Sequence, residues 1–387
     1  MSGLATGPIQ QLNPPEQDTE RCKRKHSDSC QDCGPSSSSA RHKGLNCSPA
    51  REIAEPKRRK LVLHFDLNNT IVVSDAATKQ DTVKALDYFL STVTWGRLDK
   101  EGRWEWLSDL PSLLPPCPGA VSYYYQFGRV PAFTESADGV QFRRILEYHL
   151  SLLEWHGEED KVLSVSAEDG KVYHWILPAF FQLLQALSSQ HREFAILFRT
   201  FGTDLPRVLV SMQKVLKEGG HPLFCDIQSS HVSLTITPGR IRCSKNNVKL
   251  TRGNDKVISR GDDRRLYQYF SSLQGIGGFQ DHFDWWVRNS FSSLGGKPVW
   301  IDPYDPDVQH IFIDDNIRLN DADTIVNPKV FIDKESHLTR TAPTSEFYNV
   351  NLVQTDLLMA ISNQNYFIDC IRACEENYEK YLQESDN

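Results

Sequence analysis

Asp66, Thr200 and the pair Asp314-Asp315 each stand just after a short apolar run: Leu61-Val-Leu-His-Phe65, Glu193-Phe-Ala-Ile-Leu-Phe198 and His310-Ile-Phe-Ile313. Carboxylates that meet at one point repel unless a hard cation sits among them, and carboxylate, carbonyl and water oxygens are what Mg²⁺ prefers. A cation, a hydroxyl and an ammonium would together bind and neutralise a phosphoryl group. One carboxylate would then be free to attack phosphorus and form an aspartyl phosphate. Lys297, in Gly295-Gly-Lys-Pro298, is the candidate ammonium, with Lys256 as a competitor.

Such side chains need a scaffold that brings distant parts of the chain to one place. Each run is apolar throughout, as in strands buried on both faces, and ends in a polar turn cluster such as Asp66-Leu-Asn-Asn-Thr70. After Phe198 come Arg199-Thr-Phe-Gly-Thr203 and then a helix read from Asp204, with Pro206 in its first turn, a stripe at Val208, Leu209, Met212, Val215 and Leu216, and a stop at Gly219-Gly220. Pro298-Val-Trp-Ile301 and Pro328-Lys-Val-Phe-Ile332 read as further strands, and Tyr173 to Leu187 and Val353 to Leu382 as helical. The expectation is an α/β fold, a Rossmann-like parallel sheet with helices on both faces, whose strand ends converge on one crevice.

The ordered set Asp66-Leu-Asn-Asn-Thr70, Thr200, Lys297 and Asp314-Asp315 resembles the four motifs of the haloacid dehalogenase-like (HAD) superfamily. The resemblance implies Asp66 as nucleophile, Asn68 in the general acid/base position with its carbonyl toward Mg²⁺, and Asp314 and Asp315 as further metal ligands. It also implies that Thr200, with the following Phe201 and Gly202, holds the phosphoryl oxygens, and that Lys297 offsets their charge. Asn68 departs from the family pattern, which has an aspartate there, and an amide cannot shuttle a proton. Losing a positioned acid costs typically 10²- to 10⁴-fold when the leaving group needs protonation. The resemblance therefore implies a Mg²⁺-dependent phosphohydrolase, slow on alkyl phosphomonoesters and better on anhydrides, acyl phosphates or aryl phosphates. A catalytically weak or inactive HAD-fold binding or scaffold protein is the alternative. The substrate would be a phosphorylated small molecule or a phosphoprotein.

The expected organisation is a basic, Ser-rich, disordered tail over residues 1–58, a core from 59–75 and 190–340 with an inserted segment at about 225–290, a cap-like insertion at 76–189, and a helical segment at 341–387 packing on the core. In the HAD family, insertions at these places are caps. The first insertion carries Trp95, Trp104, Trp106, Trp155, Trp175 and Tyr123-Tyr-Tyr125, read as the core of a small module in preference to a pocket lining. Val232-Ser-Leu-Thr-Ile236 reads as a strand of a small antiparallel sheet, and the glycines from Gly275 to Gly278 as a tight turn or a lid.

Charge divides the chain: residues 1–60 carry net +4 and the remainder net −11. The acidic body argues against direct nucleic-acid binding. Pro56-Lys57-Arg58-Arg59-Lys60 reads either as a nuclear-import signal for an import receptor or as a basic lead-in to the first strand. Nine cysteines suit reduced thiols; Cys30-Gln-Asp-Cys33, with Cys22, His26, His42 and Cys47, either ligates zinc or is a set of dispersed thiols. No run is long enough to span a membrane and no secretory signal is visible, so an intracellular protein, cytoplasmic or nuclear, is expected. His64, His174 and His310 read as structural histidines, and the P-loop, G-x-S-x-G and H-E-x-x-H templates are absent.

Overall fold

Six strands of an eight-stranded sheet run parallel, and the apolar runs of Lys60–Phe65, Phe194–Thr200 and Val308–Asp314 at its centre explain why both faces had to be covered. This computed structural model describes residues 59–73, 80–219, 221–224 and 232–385. All of them belong to the second of two units, Met1–Glu55 and Pro56–Asn387. The zinc candidates of the tail, and Lys57 and Arg58 of the basic cluster, lie outside the described residues.

The sheet grows outward from Lys60–Phe65. On one side lie Phe194–Thr200, Gly275–Gln280 and Gly239–Cys243; on the other lie Val308–Asp314 and Leu352–Gln354. Strand order thus reverses beside Lys60–Phe65, where an open α/β sheet forms its ligand crevice. Alternate residues of these strands enter two separate cores. Leu61, Leu63 and Phe65 join the helices Pro178–Ser189, Leu205–Glu218 and Tyr366–Ser385 on one face. Val62, Ala195 and Leu197 join the helix Arg264–Ser272 and Trp300 on the other. A second, three-stranded sheet pairs Lys297–Ile301 in parallel with Val326–Phe331, which pairs antiparallel with Thr339–Thr341.

Several segments differ from the sequence reading. Gly275–Gln280 is neither turn nor lid but a buried strand of the main sheet. Gly278 is there for close packing, since a Cβ on it would fall 2.4 Å from Leu205 Cδ1 of the helix that covers this face. Val232–Ile236 forms no strand, because only Leu234 bridges to Ile276; the antiparallel strands are Gly239–Cys243, Val248–Arg252 and Asp255–Ile258, and they extend the edge of the main sheet. Pro298–Ile301 and Pro328–Phe331 belong to the second sheet, not the first. Tyr173 and His174 end a hairpin strand, and the helix starts only at Pro178, whose fixed φ suits the first turn. Val353 lies in a strand, and the long helix starts at Tyr366. Asp204 stands at the start of its helix but makes no side-chain cap bond.

In the first insertion, Trp104, Trp106, Tyr123, Phe133 and Phe142 stack at 4.8–6.2 Å, the packing of a small aromatic core. Helix Pro178–Ser189 packs on the main sheet through Phe180 against Phe65. Arg59 pairs with Glu379, and Lys60 opens the central strand and donates to Ser271 O at 2.7 Å, so two of the cluster's cations are held by the folded body. Among the described residues no helix is long and apolar enough to cross a membrane.

Behind the strand ends lies a wholly buried charged pair. Arg199, 0% exposed, donates twice to Asp281 at 2.8 and 2.7 Å and approaches His64 Nδ1 at 3.1 Å. His64 meets His310 at 3.1 Å and His310 meets Ser271 Oγ at 3.0 Å. Burial, with Arg199 nearby, holds His64 well below the usual range, and burial with Lys60 and Arg199 holds His310 down at about 3, so both stay neutral at pH 7. Removing one partner of such a pair strands the other charge in apolar surroundings. Asp281→Ala is expected to lower stability by about 3–5 kcal/mol, read as a shifted urea midpoint; an unchanged midpoint would show the pair to be dispensable.

Candidate active site

The strand ends at the switch point carry the acidic residues. Asp66 follows Lys60–Phe65, and its N–H donates to Ile313 O at 2.9 Å, so Asp66 sits level with Asp314 on the adjacent strand. Thr200 ends the strand on the other side. Lys297 arrives from the second sheet, where it is the first residue of its strand and 1% exposed.

Lys297 Nζ donates to Asp66 Oδ1 at 2.5 Å, to Asp314 Oδ2 at 2.8 Å and to Arg199 O at 3.2 Å. Three donors meet three acceptors, so the ammonium is fully satisfied without water. Lys256, the competing candidate, is exposed on an edge strand and takes no part.

The loop after Asp66 is tied to the fourth element. Leu67 O accepts from the N–H groups of Thr70, Ile71 and Val72, and Asn69 takes a left-handed φ of 55°. Thr70 Oγ1 then accepts from Asp315 N at 3.1 Å. Asp314 Oδ1 accepts from Asn316 N at 2.9 Å, Asp315 Oδ1 accepts from Asn316 Nδ2 at 3.0 Å, and Arg318 donates to Asp315 O. Thr200 Oγ1 accepts from Gly202 N at 2.9 Å. Asn68 lies beside them: a Cβ on Gly202 would be 3.3 Å from Thr200 Oγ1 and 3.7 Å from Asn68 Nδ2.

The structure thus gathers Asp66, Asn68, Thr200, Gly202, Lys297, Asp314 and Asp315, with the Phe201 ring 5.1 Å from Lys297 Nζ. Arg199, Thr70, Asn316 and Arg318 are additions. Arg199 stands at the head of the polar cluster that follows the apolar run, where nothing marks it for burial, and Thr70, Asn316 and Arg318 look like ordinary turn residues.

One oxygen from each of Asp66, Asp314 and Asp315 lies within 4.8 Å of the others. Three carboxylates face one ammonium, and hard oxygen donors of this kind could hold Mg²⁺. Asn68 Oδ1 adds a buried oxygen with no hydrogen-bond partner. Burial drives Asp66 up to about 7, against the pull of Lys297 and helped by Asp314. Burial, Asp314 and Asp66 together raise Asp315 well above the carboxylate range. Burial alone would depress Lys297, yet Asp314 and Asp66 outweigh it and raise it, so the ammonium stays charged.

Compared with protein-family models, curated proteins and solved structures, the chain matches none. The geometry therefore stands by itself.

A carboxyl group whose folded pKa is raised binds protons more tightly folded than unfolded. The contribution of Asp66 is fully present below its ordinary value of 3.8, shrinks as pH rises and is lost above about 7. Metal-free protein is therefore expected to melt at lower temperature at pH 8 than at pH 5. The fall should be reduced in Asp66→Asn and by adding Mg²⁺; thermal melts across pH that show equal slopes for variant and wild type would contradict it.

Proposed function

We propose that the chain is a Mg²⁺-dependent phosphohydrolase of HAD-like fold, with large cap insertions, that works through an aspartyl phosphate on Asp66. The observation that carries this reading is one buried cluster, Asp66, Lys297, Asp314 and Asp315, at the switch point of a parallel sheet with Thr200 beside it. Asp66, Asp314 and Asp315 would hold the cation, which when bound withdraws charge from the phosphoryl oxygens.

The chain's own groups supply the rest. Lys297 keeps Asp66 oriented and neutralises part of the charge gathered there. Thr200 and the backbone at Phe201 and Gly202 offer polar groups for the phosphoryl oxygens. A carboxylate oxygen of Asp66 forms a bond to phosphorus as the bond to the leaving group breaks, and the leaving group keeps that electron pair. Water then cleaves the acyl phosphate, which returns Asp66 and releases inorganic phosphate. Asn68 can orient but cannot give or take a proton, so the leaving group must depart as a stable anion. Acyl and aryl phosphates meet that condition.

The second reading, a silent HAD-fold binding or scaffold protein, is favoured by the same Asn68 and by the closed Lys297 contacts to Asp66 and Asp314. Thermal stabilisation by beryllium fluoride that needs both Mg²⁺ and Asp66 separates a competent site from a silent one. Phosphate release from acetyl phosphate is expected to require Mg²⁺ and to vanish in Asp66→Asn; equal rates in variant and wild type would sink the hydrolytic reading. Asn68→Asp restores an acid and is expected to raise turnover of an alkyl phosphomonoester by roughly 10²- to 10⁴-fold.

A further inference from the structure

We infer that Phe201, Phe283, Trp286 and Phe291 form a recognition surface for an aromatic ring on the substrate, so that the site takes phenolic phosphomonoesters. The inference rests on the phosphohydrolase reading and narrows its substrates to the aryl phosphates, with the residues that would recognise the ring.

The rings lead outward from the reacting groups. Phe201 follows Thr200 and places its half-buried ring 5.1 Å from Lys297 Nζ. Trp286 stacks on Phe201 at 5.4 Å and 19°, and Phe283 meets Phe201 edge-on at 5.6 Å. Phe291 meets Trp286 edge-on at 5.1 Å. Exposure rises along the series: Lys297 is 1% exposed, Phe201 and Trp286 are half-buried, Phe283 is 47% and Phe291 43% exposed. Phe283 and Phe291 thus leave two aromatic rings open to solvent at the outer end of a ring series that begins at Phe201 beside Lys297.

The fold holds this surface in place. Trp286 Nε1 donates to Thr324 O at 3.3 Å. Gly295 lets the short Phe283–Arg288 helix approach the Lys297 strand, because a Cβ there would be 2.8 Å from Trp286 Cα and 2.9 Å from Trp285 O. Aromatic side chains with few rotatable bonds, fixed by packing, make a shelf on which a flat ring stacks at low entropic cost.

Leaving-group chemistry points the same way. With Asn68 unable to protonate a departing oxygen, an alkoxide leaves poorly, whereas a phenolate delocalises its charge. The Asp66 oxygen–phosphorus bond forms, the phosphorus–phenolic oxygen bond breaks, and the phenolate takes its proton from solvent. One part of the substrate would thus stack on the shelf while its phosphoryl group meets Asp66 and Lys297.

The test uses the full chain and phosphonates that cannot be cleaved. Phenylphosphonate and methylphosphonate are compared as competitors of Mg²⁺-dependent acetyl phosphate turnover. Phenylphosphonate is expected to bind roughly two- to tenfold more tightly, the worth of one aromatic contact. Phe283→Ala should bring the ratio near one, while Phe283→Trp keeps the preference. Equal inhibition by the two phosphonates, or a preference that survives Phe283→Ala, overturns the inference even where acetyl phosphate is hydrolysed. If nothing is hydrolysed, the same ratio is read from phosphonate-induced thermal shifts with Mg²⁺. A preference lost in Phe283→Ala then upholds the aromatic surface and overturns only the hydrolytic reading.

Discussion

An ammonium buried between two carboxylates constrains this molecule more than any other contact. Lys297 and Asp66 are 231 positions apart, and the buried ammonium depends on the carboxylates of Asp66 and Asp314 to stay charged. Their meeting requires the Lys60–Phe65 strand, the Val308–Asp314 strand beside it and the amino end of a strand from the second sheet, all within hydrogen-bond reach. Arg199 O, at the end of a fourth strand, accepts the third proton of the ammonium. A small shift in any of these elements would leave a buried charge without a partner. The interaction is thus a joint test that the sheets are correctly assembled, and it explains why the surrounding strands are packed so completely.

A second ionic layer lies behind the first. The Arg199 backbone faces Lys297 while its side chain pairs with Asp281 among Phe270 and Phe312. Asp281 N donates to Thr200 O at 2.8 Å, so this pair also fixes the strand end that carries Thr200. The neutral His64 and His310 continue the hydrogen-bonded chain to Ser271 without adding charge. Neutral imidazoles are what this position needs, since a protonated ring would stand against Arg199 inside the core.

The parallel strands that carry the acids were legible because each is an apolar run ended by a polar cluster, a pattern that burial on both faces imposes. Asp66, Thr200 and Asp314-Asp315 could be placed at strand ends for that reason. Lys297 was legible only through order along the chain, since nothing local separates it from Lys256. Two strands are misread from the sequence, Gly275–Gln280 as a turn or lid and Leu352–Gln354 in part as the start of a helix. The first has glycines that propensity reads as a turn but close packing requires, and the second is too short to show a period. The partition into two sheets was equally hidden, because Pro298–Ile301 is as apolar as the central strands and differs only in what it packs against. Phe283 and Trp286 were visible as aromatics, yet their relation to Lys297 depends on contacts between elements.

Charge and leaving group bear on each other here. Burial, with Asp314 beside them, raises Asp66 and Asp315 above the usual carboxylate range; ionising all three carboxylates around one ammonium would leave the cluster net negative and repel a phosphoryl dianion. A divalent cation would relieve it and leave Asp66 ionised and nucleophilic. Nothing in the cation's chemistry replaces the proton donor that Asn68 lacks. On the proposed reaction, the deficit would therefore move to the substrate, whose leaving group would have to carry its own negative charge. If the site hydrolyses phosphate esters, the rings leading out from Phe201 would favour such a leaving group, and Asn68 and those rings would act as two parts of one specificity.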